Sequence, residues 1–145
     1  MLEKILEDIS FVNLMQKHCY ELISNLIEQN VEFSIVCNTQ FVDFDPELPK
    51  DLDVKQNPYA LFALGGYTFE SIELTKEYIL FHAGFGSDDF DSFVKVDLGA
   101  ITQIQVENSI LFVNFSIYKR KNDKNLEKAK NIFLKNPKNR DIFKK

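Results

Sequence analysis

The sequence contains few of the residues that build covalent or metal-centred sites. Its two cysteines, Cys19 and Cys37, are too few for a disulfide framework or a paired-cysteine metal site, and we expect them to pack as small hydrophobic side chains. Its two histidines, His18 and His82, have no Cys, His or carboxylate at ligand spacing. These shortages predict no metal, no cofactor and no enzymatic activity.

The sequence also lacks long apolar segments. No stretch approaches the roughly 18 apolar residues that a membrane-spanning helix needs. The first residues after Met1, Leu2-Glu3-Lys4, give neither the basic start nor the apolar run of a signal peptide. We therefore expect a soluble, cytoplasmic protein with reduced thiols and no membrane partner.

The glycines and acids complete no cofactor motif. Gly84-Phe85-Gly86 lacks the third glycine and the following helix of a dinucleotide fingerprint, and no Lys-Ser or Lys-Thr pair follows it as in a phosphate loop. Asp88, Asp89 and Asp91 resemble part of a calcium loop, but the remaining ligand positions and the distal Glu are missing. A solvated turn is therefore the favoured interpretation of these acids.

What is present is the composition of one globular domain with an uneven charge. The chain has 145 residues, 45% of them hydrophobic, and a net charge of −5. Residues 1–118 hold 6 Lys/Arg and 19 Asp/Glu, a charge of −13, whereas residues 119–145 hold 11 Lys/Arg and 3 acids, a charge of +8. We therefore predict a domain over residues 1–118 and a basic C-terminal tail over 119–145.

The hydrophobic periodicity predicts one main helix followed by short strands. Apolar residues recur at helical spacing from Phe11 to Ile27, with Ser10 as the expected N-cap and a helix end near residues 29–30. Residues 43–51, rich in acids and proline, are expected to form a loop. Strands are predicted over 31–37, 59–64, 72–74, 78–85, 93–96, 101–106 and 110–117. This order indicates an α+β, mostly β fold, in which the helix caps a small antiparallel barrel or a strongly bent sheet.

The basic tail has three interpretations that the sequence leaves open. It is a solvated end, a contact for nucleic acid or another acidic surface, or a docking peptide. Apolar residues Leu126, Ala129, Ile132 and Phe133 fit one helical face, so part of the tail is predicted to be helical. The docking interpretation rests on Ile142 and Phe143, two apolar residues in an otherwise polar end that continues with Lys144.

Several segments in the strand region resemble one known family. Residues 78–86, YILFHAGFG, are similar to the F-x-A-R-F-G-G strand of the stringent starvation protein B (SspB) family, adaptors of the ClpXP protease. Residues 96–104, VDLGAITQI, look like the V-P-L-x-A-V-x-A-I run of that family, and Glu107-Asn108 stands where the family has E-N-G. Ile72-Glu73-Leu74 and the helix segment 20–27 also match, so the resemblance extends over about residues 11–115.

The resemblance implies a fold, a function and a set of site residues. It implies an Sm- or SH3-like barrel that binds an extended peptide degron, typically the ssrA tag, and delivers it to a ClpX-type unfoldase. It implies a homodimer formed through the N-terminal helix, with Phe11, Met15 and Leu22 at the interface, and a protease-docking tail with Ile142, Phe143 and Lys144. The peptide-binding residues that it implies are Phe81, Ala83, Gly84, Phe85, Gly86 and Val106.

Two alternatives accompany this prediction. The glycines of residues 83–86 let an extended peptide approach the strand closely, but they equally permit a simple bulge. The function from another class is an Sm-like nucleic-acid-binding protein that uses the basic tail, which the net charge of −5 makes the less favoured alternative.

Overall fold

The computed structural model describes residues 1–120. The predicted tail helix and the docking residues Ile142, Phe143 and Lys144 lie outside the described residues, and they remain predictions.

Two helices begin the chain. Helix α1 spans Leu2–Glu7 and α2 spans Ile9–Glu28. The break between them falls at Asp8, whose carboxylate accepts a hydrogen bond of 3.0 Å from the backbone N–H of Ser10. Asp8 is therefore the N-cap in place of the predicted Ser10, because its side chain satisfies an amide of the first turn that has no partner within the helix. The predicted end is confirmed, with Gln29 as C-cap.

Eight strands follow and form two antiparallel sheets. In chain order they are β1 Phe33–Asn38, β2 Val42–Asp45, β3 Tyr59–Leu64, β4 Glu73–Leu74, β5 Tyr78–Phe85, β6 Phe90–Asp97, β7 Ile101–Val106 and β8 Ser109–Val113. A short helix, α3 Tyr67–Glu70, lies between β3 and β4. The first sheet has the order β3-β1-β7-β8, and the second has the order β2-β6-β5-β4.

The α+β, mostly β class is confirmed, but the expected Sm/SH3-like barrel is not. Within residues 1–120 the strands form two four-stranded sheets and no closed barrel. The outer strands of the two sheets, β3 and β8 in the first and β2 and β4 in the second, do not pair with one another in this part of the chain. Two 3₁₀ turns lie where the chain crosses between the sheets, Thr39–Phe41 between β1 and β2 and Leu98–Ala100 between β6 and β7. Each turn interrupts strand pairing where the chain passes from one sheet to the other. The β1–β7 pair of the first sheet and the β2–β6 pair of the second therefore meet at one corner.

Both sheets and α2 contribute to one hydrophobic core. Strand β1 buries every second side chain, as its alternating sequence predicts. The largest fully buried side chain is that of Phe81 in β5, and Cys19 and Ile23 of α2 join the same cluster. α2 packs against the turn Leu98–Ala100 and so covers the core beside the corner between the sheets.

Two sequence predictions need correction at strand boundaries. Residues 42–45, of which 43–45 were assigned to a loop, form β2, because Val42 and Phe44 point inward while Asp43 and Asp45 remain on the solvent side of an edge strand. The last strand ends at Val113 and not at residue 117. In the part of the chain that is described, no helix is long and apolar enough to cross a membrane.

Candidate functional site

A groove of about 470 Å³ lies over the outer face of the β3-β1-β7-β8 sheet. Its floor comes from strand residues whose neighbours along the chain point into the core, such as Val36 between the buried Ile35 and Cys37. Tyr59 of the edge strand β3 stands at one side with 55% of its surface exposed. The lining residues are Val36, Asn38, Phe41, Tyr59, Gly99, Ala100, Thr102, Gln103, Val113, Asn114, Phe115, Ser116, Ile117 and Tyr118.

The segment after β8 forms one side of this groove, and we call residues 114–120 the strap. The buried Asn114 holds its start, since its side-chain amide donates to the carbonyl oxygens of Gly99 at 3.3 Å and Ile101 at 3.2 Å. Further along, the backbone N–H of Ile117 donates to the carbonyl oxygen of Leu6 at 2.8 Å. The strap is therefore fastened both to the sheet corner and to α1.

Arg120 fastens the end of the strap. Its Nε donates to Asp97 at 2.8 Å and its Nη2 to Asp43 at 2.7 Å, so one guanidinium joins the ends of β6 and β2. The hydrogen bond to Asp97 raises the pKa of Arg120 further above its usual range, so the guanidinium stays charged. The described chain thus remains in contact with the two sheets through Arg120, which is the second residue of the predicted tail.

Tyr118 connects the strap to the corner between the sheets. Its hydroxyl donates to the same Asp97 at 2.9 Å, and its ring meets that of Phe41 edge-on with the centroids 4.9 Å apart. The ring lies against the backbone of Gly99, where an added Cβ would be 2.2 Å from Tyr118 Cδ1. Gly99 is thus the residue that gives the tyrosine room to pack.

The groove is uncharged, and its lining combines apolar and neutral polar side chains. None of the described residues that line it is Lys, Arg, His, Asp or Glu. Most of its polar side chains bond within the protein: Thr102 donates to the carbonyl oxygen of Val36, Asn38 accepts from the backbone N–H of Gln40, and Asn114 and Tyr118 donate as described above. Gln103 also lines the groove; its side-chain oxygen accepts from the side-chain amide of Gln105 at 3.0 Å, and its own amide N–H groups have no hydrogen-bond partner among residues 1–120.

The predicted peptide-binding residues of β5 lie elsewhere. Phe81 is completely buried, and the ring of Phe85 packs against Phe44 and Phe62 with centroids 5.7 and 6.3 Å away. Both rings therefore belong to the core between the sheets, where they contribute to folding. Ala83 is half-buried and packs against the same core.

The chain itself fills the space next to the two predicted glycines. A Cβ on Gly84 would lie 1.8 Å from a carboxylate oxygen of Asp89, and a Cβ on Gly86 would lie 2.8 Å from a methyl group of Leu52. Gly86 also has φ +73°, a left-handed conformation that glycine adopts at little cost. This geometry explains both glycines by close packing at the β5–β6 hairpin. The bulge that the sequence left open does not occur, because the β5–β6 register is continuous through Gly84.

The structure does not bring Val106 together with the β5 residues in one cleft. Val106 lines a second cleft, also of about 470 Å³, beside Glu32, Glu70 and Glu107, and no residue of β5 lines it. Glu32 accepts a hydrogen bond of 2.7 Å from the backbone N–H of Gly66 across this cleft.

The residues predicted for a helix-mediated dimer are partly covered by their own chain. Phe11, Met15 and Leu22 are each half-buried, and Leu22 packs against the core. The more exposed apolar residues of α2 are Ile9 and Leu14.

The histidines and cysteines have structural surroundings. His18 is exposed, whereas the ring of His82 packs against Phe93 with centroids 4.6 Å apart, and its Nδ1 is buried without a hydrogen-bond partner in residues 1–120. Burial raises the pKa of Cys37 to about 12 and that of Cys19 above its usual range, so both thiols stay protonated at neutral pH. No group of three or more metal-ligating side chains occurs over the same residues.

One feature of the sequence does indicate the groove, namely the apolar residues on both faces of the β3 segment, although hydrophobic periodicity alone does not show it. Residues 59–64 are apolar on both faces of the predicted strand, yet only Phe62 and Leu64 are buried, while Tyr59 and Leu61 are exposed. An apolar outer face on an edge strand is typical of a surface that binds a ligand or another protein. The contributions of Phe41 and the strap depend on tertiary contacts, and no local pattern marks them.

Comparisons with known proteins identify no relative. No protein-family model matches the chain, and a search of curated proteins finds no match. The resemblance to the SspB family therefore rests on the motifs quoted above.

Proposed function

We propose that this protein is a non-enzymatic adaptor that binds an extended peptide segment in the groove and presents it to a protease of the ClpXP type. The observation that carries the proposal is an uncharged groove, lined by apolar and neutral polar side chains, over an open sheet face of a strongly acidic domain. Its volume of about 470 Å³ lies in the range of roughly 300–1,000 Å³ that is usual for ligand sites.

The shape and chemistry of the groove suit an extended chain with apolar side chains. Tyr59, Phe41 and the strap residue Ile117 all line the groove, so the side chains of a bound segment would contact rings and aliphatic groups. Gln103 lines the groove and has side-chain amide N–H groups with no partner among residues 1–120, so it could donate to a main-chain carbonyl of the ligand. Apolar contacts with a few neutral hydrogen bonds are the usual basis of peptide recognition in such grooves.

The charges disfavour nucleic acid as the ligand of this groove. Phosphate contacts need Lys or Arg, and no described lining residue is a cation. The nearest guanidinium on the strap, that of Arg120, is already paired with Asp43 and Asp97. The surrounding domain, with a charge of −13 over residues 1–118, repels a polyanion.

The adaptor role combines this groove with the motif resemblance. An adaptor raises the local concentration of its cargo at the protease by tethering and needs no chemistry of its own. The tail that the resemblance assigns to docking follows directly after the strap, which forms a wall of the groove. This order along the sequence suits a protein that binds its cargo in the groove and its protease partner through the tail.

The proposal is tested by measuring peptide binding with fluorescence anisotropy. The probes are an ssrA-type tag peptide and a panel of unrelated extended peptides, and the variant is Tyr59→Ala. We expect binding at tens of micromolar or better, about 6–7 kcal/mol, and a 10- to 30-fold loss in the variant, about 1.4–2 kcal/mol, as for an aromatic contact residue. Phe93→Ala is the matched control, because Phe93 is similarly exposed at 50% but lies on the other sheet.

Three outcomes decide between the alternatives. Equal losses from Tyr59→Ala and Phe93→Ala would place the peptide elsewhere than in the groove. No binding by any peptide would overturn the peptide-binding function. Tight binding of a single-stranded oligonucleotide that weakens steeply with salt would support the nucleic-acid alternative, whereas an apolar groove predicts little dependence on salt.

Delivery is tested separately with a ClpXP degradation assay. Deletion of residues 141–145 should leave peptide affinity unchanged and abolish any acceleration of cargo degradation. Unchanged acceleration in this deletion variant would refute the docking role of Ile142, Phe143 and Lys144.

A further inference from the structure

The outer face of the β2-β6-β5-β4 sheet carries a patch of aromatic rings. Strand β6 buries every second side chain, so Phe93 and Lys95 project from the opposite face. Phe93 is 50% exposed, and its cross-strand neighbour His82 lies beside it with the ring centroids 4.6 Å apart. The ring of Tyr67, a residue that is 66% exposed, meets His82 edge-on at 5.6 Å. We call Tyr67, His82 and Phe93 the aromatic face, and exposed rings grouped in this way are typical of a binding surface.

Carboxylates border the aromatic face. Strand β2 places Asp45 opposite Phe93 and carries Asp43 two residues earlier on the same side of the sheet. Asp91 lies two residues before Phe93 on β6, and all three carboxylates are exposed. Among the described strands of this sheet, Lys95 is the single cation. The aromatic face therefore combines rings with negative charge, and both attract ammonium and guanidinium groups.

Arg120, the second residue of the basic tail, is already bound at one end of this surface. Its guanidinium pairs with Asp43 at 2.7 Å and with Asp97 at 2.8 Å. Asp97 lies two residues beyond Lys95 on β6, and Asp43 lies directly opposite Lys95. The last described residue therefore leaves the chain at the border of the aromatic face, with one cation of the tail already paired there.

We propose that residues 121–145, the rest of the basic tail, bind across the aromatic face of their own chain. These residues hold 9 Lys/Arg and 3 acids, a charge of +6, which is complementary to the acidic border of the face. Their ammonium groups continue the pairing that Arg120 begins, with Asp45 and Asp91 as the next carboxylates and the rings as cation–π partners. Of the interpretations of the tail that the sequence leaves open, this is the contact with an acidic surface, and the surface belongs to the chain itself.

The tail is long enough to reach the aromatic face in any conformation. Phe93 lies four residues from Asp97 along β6, a distance of about 13 Å. About nine residues of helix cover this distance at 1.5 Å per residue, and about four residues of extended chain do so. Because the tail is attached, its effective concentration at the face is of the order of millimolar, so it outcompetes a basic segment of similar affinity that binds from dilute solution.

This contact leaves the groove open. The groove lies over the outer face of the other sheet, and none of its described lining residues belongs to β2, β4, β5 or β6. A protease that binds the tail has to compete with the aromatic face, so the contact delays docking until the partner is present. This last consequence rests on the proposed function, whereas the contact itself does not.

The test is paramagnetic relaxation enhancement in the full-length chain with a nitroxide attached at Asn131→Cys. The two native thiols are buried, so the label attaches to the introduced cysteine alone. We expect the enhancement of the Lys95 amide to exceed that of the Gln103 amide by at least about fivefold, because the two residues lie on different sheets, which stack about 10 Å apart, and the effect falls with the sixth power of distance.

A pair of charge reversals assigns the contact to this surface. Asp91→Lys should reduce the enhancement at Lys95 by at least about twofold, because it replaces an attractive charge by a repulsive one. Glu28→Lys makes the same change of charge at an exposed position of α2 and should leave the enhancement unchanged. Salt provides a measurement without any substitution on the face: at 1 M the Debye length falls to about 3 Å, and the enhancement at Lys95 should weaken.

Three results would overturn the proposal. The first is an enhancement at Lys95 no stronger than at Gln103, and the second is an equal loss from Asp91→Lys and Glu28→Lys. The third is an enhancement of the same size in isotope-labelled chains without nitroxide when they are mixed with nitroxide-labelled chains, because the tail would then bind a second copy. None of these results affects the peptide-binding proposal, which is measured in the groove with Tyr59→Ala.

Discussion

Substitution of Gly99 by alanine should loosen the strap, because the new methyl group would occupy the place of the Tyr118 ring. The three atoms nearest to the added Cβ all belong to that ring, at 2.2, 2.4 and 3.0 Å. An ordinary carbon–carbon contact needs about 3.5 Å, so the ring has to move by about 1 Å or more. Gly99 has no positive φ, so the backbone itself tolerates alanine and the effect is purely steric.

The magnitude follows from the contacts that the displaced ring loses. The hydrogen bond from Tyr118 to the Asp97 carboxylate contributes about 1.5–3 kcal/mol, and the edge-on contact with Phe41 contributes about 0.5–1.5 kcal/mol. Tyr118 is only half-buried and can swing toward solvent, so the losses will be partial. We expect Gly99→Ala to lower the free energy of unfolding by about 2 kcal/mol, within the range for overpacking.

The assay is a double-mutant cycle followed by urea denaturation. In a Tyr118→Ala background the methyl group meets no ring, so the cost of Gly99→Ala should fall below about 0.5 kcal/mol or become a small gain, since alanine restricts the unfolded chain. Peptide affinity should fall together with stability in the single variant, because Tyr118 lines the groove. An equal cost of Gly99→Ala in both backgrounds would refute the steric explanation.

Three further predictions concern single groups elsewhere in the described chain. Arg120→Gln should lower the free energy of unfolding by about 1–2 kcal/mol, because it removes hydrogen bonds to the carboxylates of Asp43 and of the buried Asp97. Lys119→Gln is the control and should leave the free energy of unfolding unchanged in the same denaturation assay. Gly86→Ala should cost about 1–3 kcal/mol, since it combines a positive φ with a close methyl contact, and thermal unfolding at constant pH measures it. Cys37 should not react with a thiol reagent at pH 8 until the protein unfolds, because burial raises its pKa from 9.0 to about 12. Between these two pH values only the unfolded state forms the thiolate, so the free energy of unfolding should fall as the pH rises above 9.0.

The pattern of the sequence was sufficient to predict most of the secondary structure. The helix over α2 and the strands around β1 and the first half of β5 follow from local periodicity, because each of them buries one face regularly. The acidic β2 was missed, since an edge strand with charged outer residues is similar to a loop in composition. The division into two sheets was also missed, because it depends on where two 3₁₀ turns meet in space.

The candidate site shows the limit of sequence reasoning more clearly. Phe81 and Phe85 lie in a glycine-rich strand and were predicted to bind a peptide, but their rings face inward, where the period of a strand places every second residue. Sequence cannot decide which of the two faces of a strand meets the core when both are apolar, as at Tyr59 and Phe62. That choice depends on the opposing sheet.

The uneven charge and the scarcity of cysteine and histidine are properties of the sequence alone, because they depend on composition and not on arrangement. The groove exists only in the tertiary structure. It requires Phe41, Tyr59 and Tyr118, which are far apart in the chain, to meet at the corner between the sheets. It also requires Arg120 to pair with carboxylates from two different strands. Contacts of this kind form only after long-range pairing has brought the strands together, so local patterns do not encode them.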